Sequence, residues 1–120
     1  MRLFTFGCSL TYYMFPTWAD LIGSNYDEYY NSAWYGRGNQ YIMHTVYEAD
    51  SLKQFTPEDT VMVMLTSFTR NDCYIDGAWT HRGSIFNPEN ANLYTDEWVK
   101  NFWSPEQGSM NTWLAAKSIK

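Results

Sequence analysis

The residues best suited to chemistry in this chain form a short glycine turn that contains a serine. Gly7-Cys8-Ser9-Leu10-Thr11 follows the aromatic-rich run Met1 to Phe6, whose composition and partial alternation predict a first β-strand. Gly7 can adopt backbone angles closed to other residues, so the chain can turn sharply there. A strand, a turn and a helix in this order would lift the Ser9 hydroxyl above the carboxyl edge of an α/β sheet, where such folds keep their sites. The alternative is that Ser9 only caps a turn or a helix.

The elements that must position this serine are alternating strands and helices. In chain order, the pattern predicts a helix around Trp18–Ile22 with Pro16 in its first turn, a strand over Glu28–Ala33, a helix from about Asn39 to about Leu52, and a strand over Val61–Leu65. The last of these is a continuous apolar run, which is typical of a strand buried on both faces. The order predicts a parallel sheet with helices on both of its faces.

The second half of the chain departs from this alternation. Tyr74 to Thr80 predicts a small β-hairpin around Asp76-Gly77, Tyr94 to Trp103 a helix ended by Ser104-Pro105, and the segment from Met110 a further helix. Three parallel strands make a thin sheet with unprotected edges. We therefore expect the sequence to be the N-terminal portion of a domain, and the isolated chain to self-associate through the edge beside its last strand.

Composition restricts the classes of function. The 120 residues predict one domain, and 45% apolar and 19% aromatic residues are typical of a globular protein with aromatic side chains left over for its surface. A net charge of −5 argues against nucleic-acid binding, and no apolar run is long enough to predict a membrane span. Cys8 and Cys73 form neither a disulfide framework nor a metal motif. Because the sequence has no signal-peptide pattern, we expect a cytoplasmic protein. We also expect that the protein uses no cofactor.

The order of the motifs resembles that of the SGNH, or GDSL-type, serine hydrolases, particularly short phage and environmental members whose first block reads Gly-Cys-Ser. Gly7-Cys8-Ser9-Leu10 matches the family's Gly-Asp-Ser-Leu with Cys in place of Asp, and Asn31 with Gly36 matches the second block. The resemblance implies a flavodoxin-like three-layer α/β sandwich in which Ser9 is the nucleophile. It also implies that the backbone N–H groups of Ser9 and Gly36 bind the oxyanion.

The last two blocks of the family are matched less closely. Asn71-Asp72 copies the letters of the third block three residues late, so the resemblance favours Asn71 as the oxyanion side chain, with Ser67 as the alternative. The fourth block, Asp-x-x-His, is missing, and a serine hydroxyl without a base is a poor nucleophile. We therefore expect the base to come from beyond Lys120, and the chain alone to be inactive or weak.

Either histidine could in principle replace that base. His44 falls off the apolar stripe of the second helix, which predicts a solvent-facing side chain. His81 follows the hairpin and could reach the site as a loop residue, although such a residue is more often a surface histidine or a substrate contact.

Other residues are candidates for substrate binding. Arg70 could hold a carboxylate or phosphate of a ligand, or could fasten its loop by pairing with Asp72 or Asp76. Trp34 and Trp79 could form an aromatic rim for sugar rings or acyl chains, or could pack in the core. No basic residue is close in sequence to Cys8, which predicts a small buried side chain and not a thiol nucleophile.

Two functions remain. The resemblance implies a hydrolase that cleaves a small-molecule or saccharide ester, such as an O-acetyl group, through a Ser9 acyl-enzyme. The alternative is a non-catalytic binding or structural module derived from that fold, which contacts carbohydrate or a protein partner. A flavodoxin-like nucleotide binder is disfavoured because the sequence has no glycine-rich phosphate loop.

Overall fold

The computed structural model describes residues 1–80 and 83–119, and His81, one of the predicted site residues, lies outside them. The described chain is an α/β domain with a three-stranded parallel sheet and a separate two-stranded hairpin. Its elements are β1 (Arg2–Phe6), α1 (Trp18–Gly23), β2 (Glu28–Asn31), α2 (Asn39–Lys53), β3 (Thr60–Val63), β4 (Tyr74–Ile75), β5 (Ala78–Trp79), a single 3₁₀ turn (Pro88–Asn90), α3 (Asp96–Phe102) and α4 (Pro105–Ser118).

The sheet has the order β2-β1-β3, and both pairings are parallel. Because side chains alternate along a strand, the two faces of β1 are covered by different helices. Phe4 and Phe6 pack against Ile42 and Val46 of α2 and form the core. On the opposite face, α1 lies so close to Tyr29 of β2 that a Cβ at Gly23 would come within 2.6 Å of its ring. The predicted parallel sheet with helices on both faces is therefore confirmed.

The edge position of β3 in the described sheet agrees with the predicted open edge beside the last strand, but its burial differs from the prediction. Its only strand neighbour in the described chain is β1, so it is an edge strand, and Val61 is 38% exposed. The prediction that Val61–Leu65 is buried on both faces was wrong, since an apolar run does not reveal how many strands lie beside it. In contrast, β1 is central, and Leu3 and Phe6 are fully buried there.

Three helices begin at other residues than predicted, and the first of these differences is that α3 begins at Asp96 and not at Tyr94. Thr17 caps α1, where its N–H donates to the Asp20 carboxylate at 2.8 Å, so Pro16 precedes the helix and does not lie in its first turn. Pro105 begins α4, and the Ser104 hydroxyl accepts the N–H of Gln107 at 3.1 Å. The Ser-Pro pair therefore starts α4 well before Met110, because proline suits the first turn of a helix as well as the residues after one.

The hairpin β4-β5 is confirmed. Asp76 and Gly77 both have positive φ angles, 53° and 77°, which is the conformation that a two-residue turn between twisted strands requires. Within the part of the chain that the structure describes, no helix combines the length and the apolar character that crossing a membrane requires.

Candidate functional site

Ser9 lies in a tight turn at the carboxyl end of β1. The N–H groups of Thr11 and Tyr12 both donate to the Cys8 carbonyl, at 2.9 and 3.0 Å. Ser9 is half-buried in this turn. Ser9 does not cap α1, because Thr17 is the N-cap residue of that helix. Gly7 is needed for a reason that differs from the prediction. Its φ is not positive, but a Cβ there would come within 2.2 Å of the Thr11 hydroxyl oxygen, so the constraint is close packing.

Residues at the end of β2 and just after it form hydrogen bonds to the turn that contains Ser9. The Gly7 carbonyl accepts the N–H of Trp34 at 3.3 Å, and the Thr11 carbonyl accepts the Asn31 amide at 2.9 Å. Asn31 also accepts the N–H of Ala33 at 3.0 Å. The asparagine of the second motif therefore bridges the end of β2 and the Ser9 turn, which places the first two motifs side by side.

Gly36 adopts a conformation that other residues rarely take. Its φ is 72°, in the left-handed region that favours glycine, and its carbonyl accepts the N–H of Gly83 at 2.9 Å. A glycine in this conformation turns the chain between β2 and α2 at the same edge of the sheet as Ser9.

Asp72 fastens the start of α2 to the loop that follows β3. Its carboxylate is buried, and its two oxygens accept the N–H groups of Gly38 and Tyr41 at 2.7 and 2.8 Å. Gly38 is the N-cap residue and has no side chain with which to cap the helix, so Asp72 performs that role from a distant part of the chain. Burial raises the pKa of Asp72 above its usual range, although both hydrogen bonds and the charges of Arg37 and Arg70 act in the opposite direction.

Asn39 is a second residue whose role sequence analysis missed. It is buried, its amide donates to the Thr66 carbonyl at 3.0 Å, and its carbonyl accepts the N–H of Thr66 at 2.7 Å. These bonds fix the first residue of α2 to the end of the β3 run.

The two side chains predicted to bind the oxyanion, those of Asn71 and Ser67, form hydrogen bonds within the protein. The Asn71 amide donates to the Tyr94 hydroxyl at 3.3 Å and lies 3.6 Å from Cys73 Sγ. Ser67 is exposed and shares a hydrogen bond of 2.9 Å with Thr69. The structure thus places both in the loop after β3, and their roles at Ser9 stay predictions.

Cys8 is buried, as predicted, but its surroundings are more polar than the sequence indicated. Burial acts to raise the pKa of the thiol, yet hydrogen bonds from the Thr66 side chain and the Leu10 N–H, together with the charge of Arg70, outweigh it and lower that pKa. Arg70 is distant in sequence, so no local pattern could have revealed it. At 3% exposure the thiol is not accessible to a substrate.

Arg70 does not form an ion pair with either of its predicted partners, Asp72 and Asp76. Its guanidinium donates to the Arg37 carbonyl at 3.0 Å. Among residues 1–80 and 83–119, the recorded ion pairs join the N-terminal amine to Asp27 and Arg2 to Asp59, so Arg70 forms none with Asp72 or Asp76. The loop is fastened through a backbone carbonyl instead.

Trp34 and Trp79 lie in two different aromatic clusters of the described chain. Trp34 is half-buried and stacks between Tyr12 and Tyr35, with ring centroids 5.0 and 5.2 Å away, so it lies beside the Ser9 loop. Trp79 packs instead against Tyr41, Tyr74 and His44 at the hairpin. His44 is exposed, as predicted, and lies 5.4 Å from the Trp79 ring. The structure therefore brings Trp34, but not Trp79, next to the loop that carries Ser9.

No group of three metal-binding side chains occurs in the described segments 1–80 and 83–119. Comparison with known proteins found no matching family model, curated protein or solved structure.

Proposed function

We propose that this chain carries the nucleophile and oxyanion site of a serine ester hydrolase of the SGNH type. The strand order β2-β1-β3 supports a flavodoxin-like sandwich, because doubly wound sheets of that kind begin with the same order. The proposed substrate is a small-molecule or saccharide ester, such as an O-acetyl sugar. The two free cysteines, Cys8 and Cys73, suit the cytoplasmic location that we also propose.

The observation that carries the proposal is the junction of the Ser9 turn with the loop after β2. Asn31 joins the two segments through the Thr11 carbonyl, and Gly36 adopts its left-handed turn in the same loop. A half-buried serine held at the carboxyl edge of a parallel sheet is the arrangement that a nucleophile requires.

In the proposed reaction, the Ser9 hydroxyl oxygen attacks the ester carbonyl carbon while a base removes the hydroxyl proton. The negative charge on the carbonyl oxygen is stabilised by the N–H groups of Ser9 and Gly36 and by the side chain of Asn71 or Ser67. The base then gives the proton to the departing alcohol, and water hydrolyses the acyl-serine to release the acid. We assign the base to a histidine that is not among the described residues, because His44 packs at the hairpin.

The competing proposal is a binding module without turnover. The exposed rings of Tyr13 and Phe15 in the Ser9 loop favour it, since exposed aromatic residues are frequent at contact surfaces. The two proposals share the fold and differ only in whether Ser9 reacts.

We also propose that the isolated chain self-associates along β3. The strand lies at an edge of the described sheet, and its sequence, Thr60 to Val63, contains no charged residue or proline that would protect that edge. Sedimentation velocity tests this: a species that grows with concentration is expected, and a monomer at every concentration would contradict it.

Hydrolysis of p-nitrophenyl acetate with added imidazole tests the enzymatic proposal, because imidazole can act as an external base for the Ser9 hydroxyl. The matched Ser9→Ala variant measures the reaction of imidazole alone. We expect an imidazole-dependent rate above that of Ser9→Ala, together with an acetylated Ser9 peptide in mass spectra. Equal rates for the two proteins would favour the binding module.

A further inference from the structure

The guanidinium of Arg70 is a half-buried cation with little to neutralise it. Its one recorded hydrogen bond goes to the neutral carbonyl of Arg37, whereas an arginine carries five N–H donors. Among the described residues, no carboxylate lies within ion-pair distance of it. A partly desolvated cation that forms no ion pair is costly to bury.

The immediate surroundings add positive charge. Arg37 is about nine-tenths buried at 9% exposure, and its Nε has no hydrogen-bond partner in the described chain. Asp72 is the carboxylate that interacts with both arginines, but its two oxygens already accept the N–H groups of Gly38 and Tyr41. Two arginines and one aspartate leave one net positive charge here, in a chain whose total is −5.

This charge lies at the edge of the sheet that carries the proposed nucleophile, because Arg70 contacts Arg37 and Gly38 in the loop between β2 and α2. Arg70 is close enough to Cys8 for its charge to act on the thiol, and Cys8 directly precedes Ser9 in the turn. Arg70 also follows β3 at the edge of the sheet where the Ser9 turn lies. An anionic group on a ligand at Ser9 would therefore give Arg70 the ion pair that no described residue forms with it.

We propose that Arg70 binds a carboxylate or phosphate group of the ligand held at Ser9, so that the site selects anionic esters over neutral ones. The inference deepens the proposed function and rests on it for the identity of the reacting group. The planar fork of arginine suits both anions, because it can donate two parallel N–H bonds to either.

The test measures binding and does not require turnover. The full chain, labelled with ¹⁵N, is titrated with monomethyl succinate, with phenyl phosphate and with the neutral dimethyl succinate, while NMR follows the Arg70 side-chain N–H and the Ser9 amide. We expect saturable shifts with at least one of the two anions and none with dimethyl succinate. The anion that saturates at the lower concentration identifies the group as a carboxylate or a phosphate.

Arg70→Gln is the informative variant, because it removes the charge but keeps an N–H donor for the Arg37 carbonyl. Binding of the anion is expected to weaken about 10- to 100-fold, followed through the Ser9 amide. Arg70→Lys, which keeps the charge and loses the fork, should fall between Arg70→Gln and the unmodified chain, and provides a second test if Arg70→Gln does not fold. Lys117→Met removes a positive charge on the exposed surface of α4 and should leave binding unchanged.

Equal shifts with the charged and neutral esters, no saturation with either anion, or unchanged binding in Arg70→Gln and Arg70→Lys would each overturn the inference. The proposed function can be refuted independently of the role of Arg70. If anions bind at Arg70 while Ser9 remains unreactive toward p-nitrophenyl acetate, the anion site stands and the hydrolase proposal falls. If Ser9 reacts but shows no preference for anionic ligands, only the role of Arg70 is refuted.

Discussion

Replacement of Asp72 by Asn tests whether one buried carboxylate fastens α2 to the loop after β3. The two carboxylate oxygens accept N–H groups at 2.7 and 2.8 Å, from Gly38 and Tyr41. An asparagine keeps one acceptor and turns an NH₂ group toward the other N–H. A buried N–H left without an acceptor costs about 1–3 kcal/mol. Removal of the buried charge offsets part of this cost, because burial already raises the pKa of Asp72.

We therefore expect Asp72→Asn to lower the free energy of unfolding by about 1–2 kcal/mol at pH 7. Urea denaturation measures the loss, and hydrogen exchange locates it, since the Gly38 and Tyr41 amides should exchange faster than other amides of α2. Asp76→Asn is the matched control, because Asp76 is exposed in the hairpin turn, where asparagine also tolerates a positive φ. We expect a change below about 0.5 kcal/mol in this control.

The effect of Asp72→Asn on the free energy of unfolding should also depend on pH, in a direction that the pKa shift fixes. Because the folded-state pKa of Asp72 lies above its ordinary value of 3.8, the folded chain binds the proton more tightly than the unfolded chain. This contribution is fully present below pH 3.8 and is lost as the pH rises through the raised pKa. The advantage of the unmodified chain over Asp72→Asn should therefore be larger near pH 3.5 than at pH 7. Equal stability of the two proteins, with unchanged exchange at Gly38 and Tyr41, would refute the account of this contact.

Three further predictions concern the Ser9 turn and the start of the sheet. Gly7→Ala should lower the unfolding free energy by about 1–3 kcal/mol in urea titrations, because its Cβ would come within 2.2 Å of Thr11 Oγ1; an unchanged midpoint would contradict this. Thr11→Val should cost less than about 1 kcal/mol, since that buried hydroxyl has no recorded partner; a larger loss would mean that it has one. Arg2 lowers the pKa of Asp59 far below its ordinary value of 3.8, so Arg2→Met should destabilise the chain at pH 6 and by progressively less as the pH falls below about 4. Thermal melts at pH 6, 3 and 2 measure this, and a pH-independent difference would contradict it.

The sequence predicted the order of the elements well, because strands and helices leave local periodic patterns. The strand β1, the helix α2 and the β4-β5 hairpin all lie where the pattern placed them. The exposure of β3 could not be predicted, since its apolar run looks the same at the centre of a sheet and at its edge. The start of α4 was missed because Ser104-Pro105 is compatible with both the end of one helix and the beginning of the next.

At the site, local signals identified the turn but not what surrounds it. The family resemblance predicted that Asn31 and Gly36 lie near Ser9, and the structure joins Asn31 to that turn. The contact from Asp72 to Gly38 spans 34 residues, and Arg70 acts on a thiol in a different loop. Such contacts arise from the packing of distant segments, so no periodicity or motif indicates them.

Fluorophosphonate labelling tests the central claim, that Ser9 is a nucleophile, most directly. The full chain is treated with the probe in the presence of imidazole, and the adduct is mapped by peptide mass, with Ser9→Ala as the matched control. We expect one adduct, on the peptide that contains Ser9, and we expect it to disappear in Ser9→Ala. Absence of any adduct, or an adduct that persists in Ser9→Ala, would contradict it.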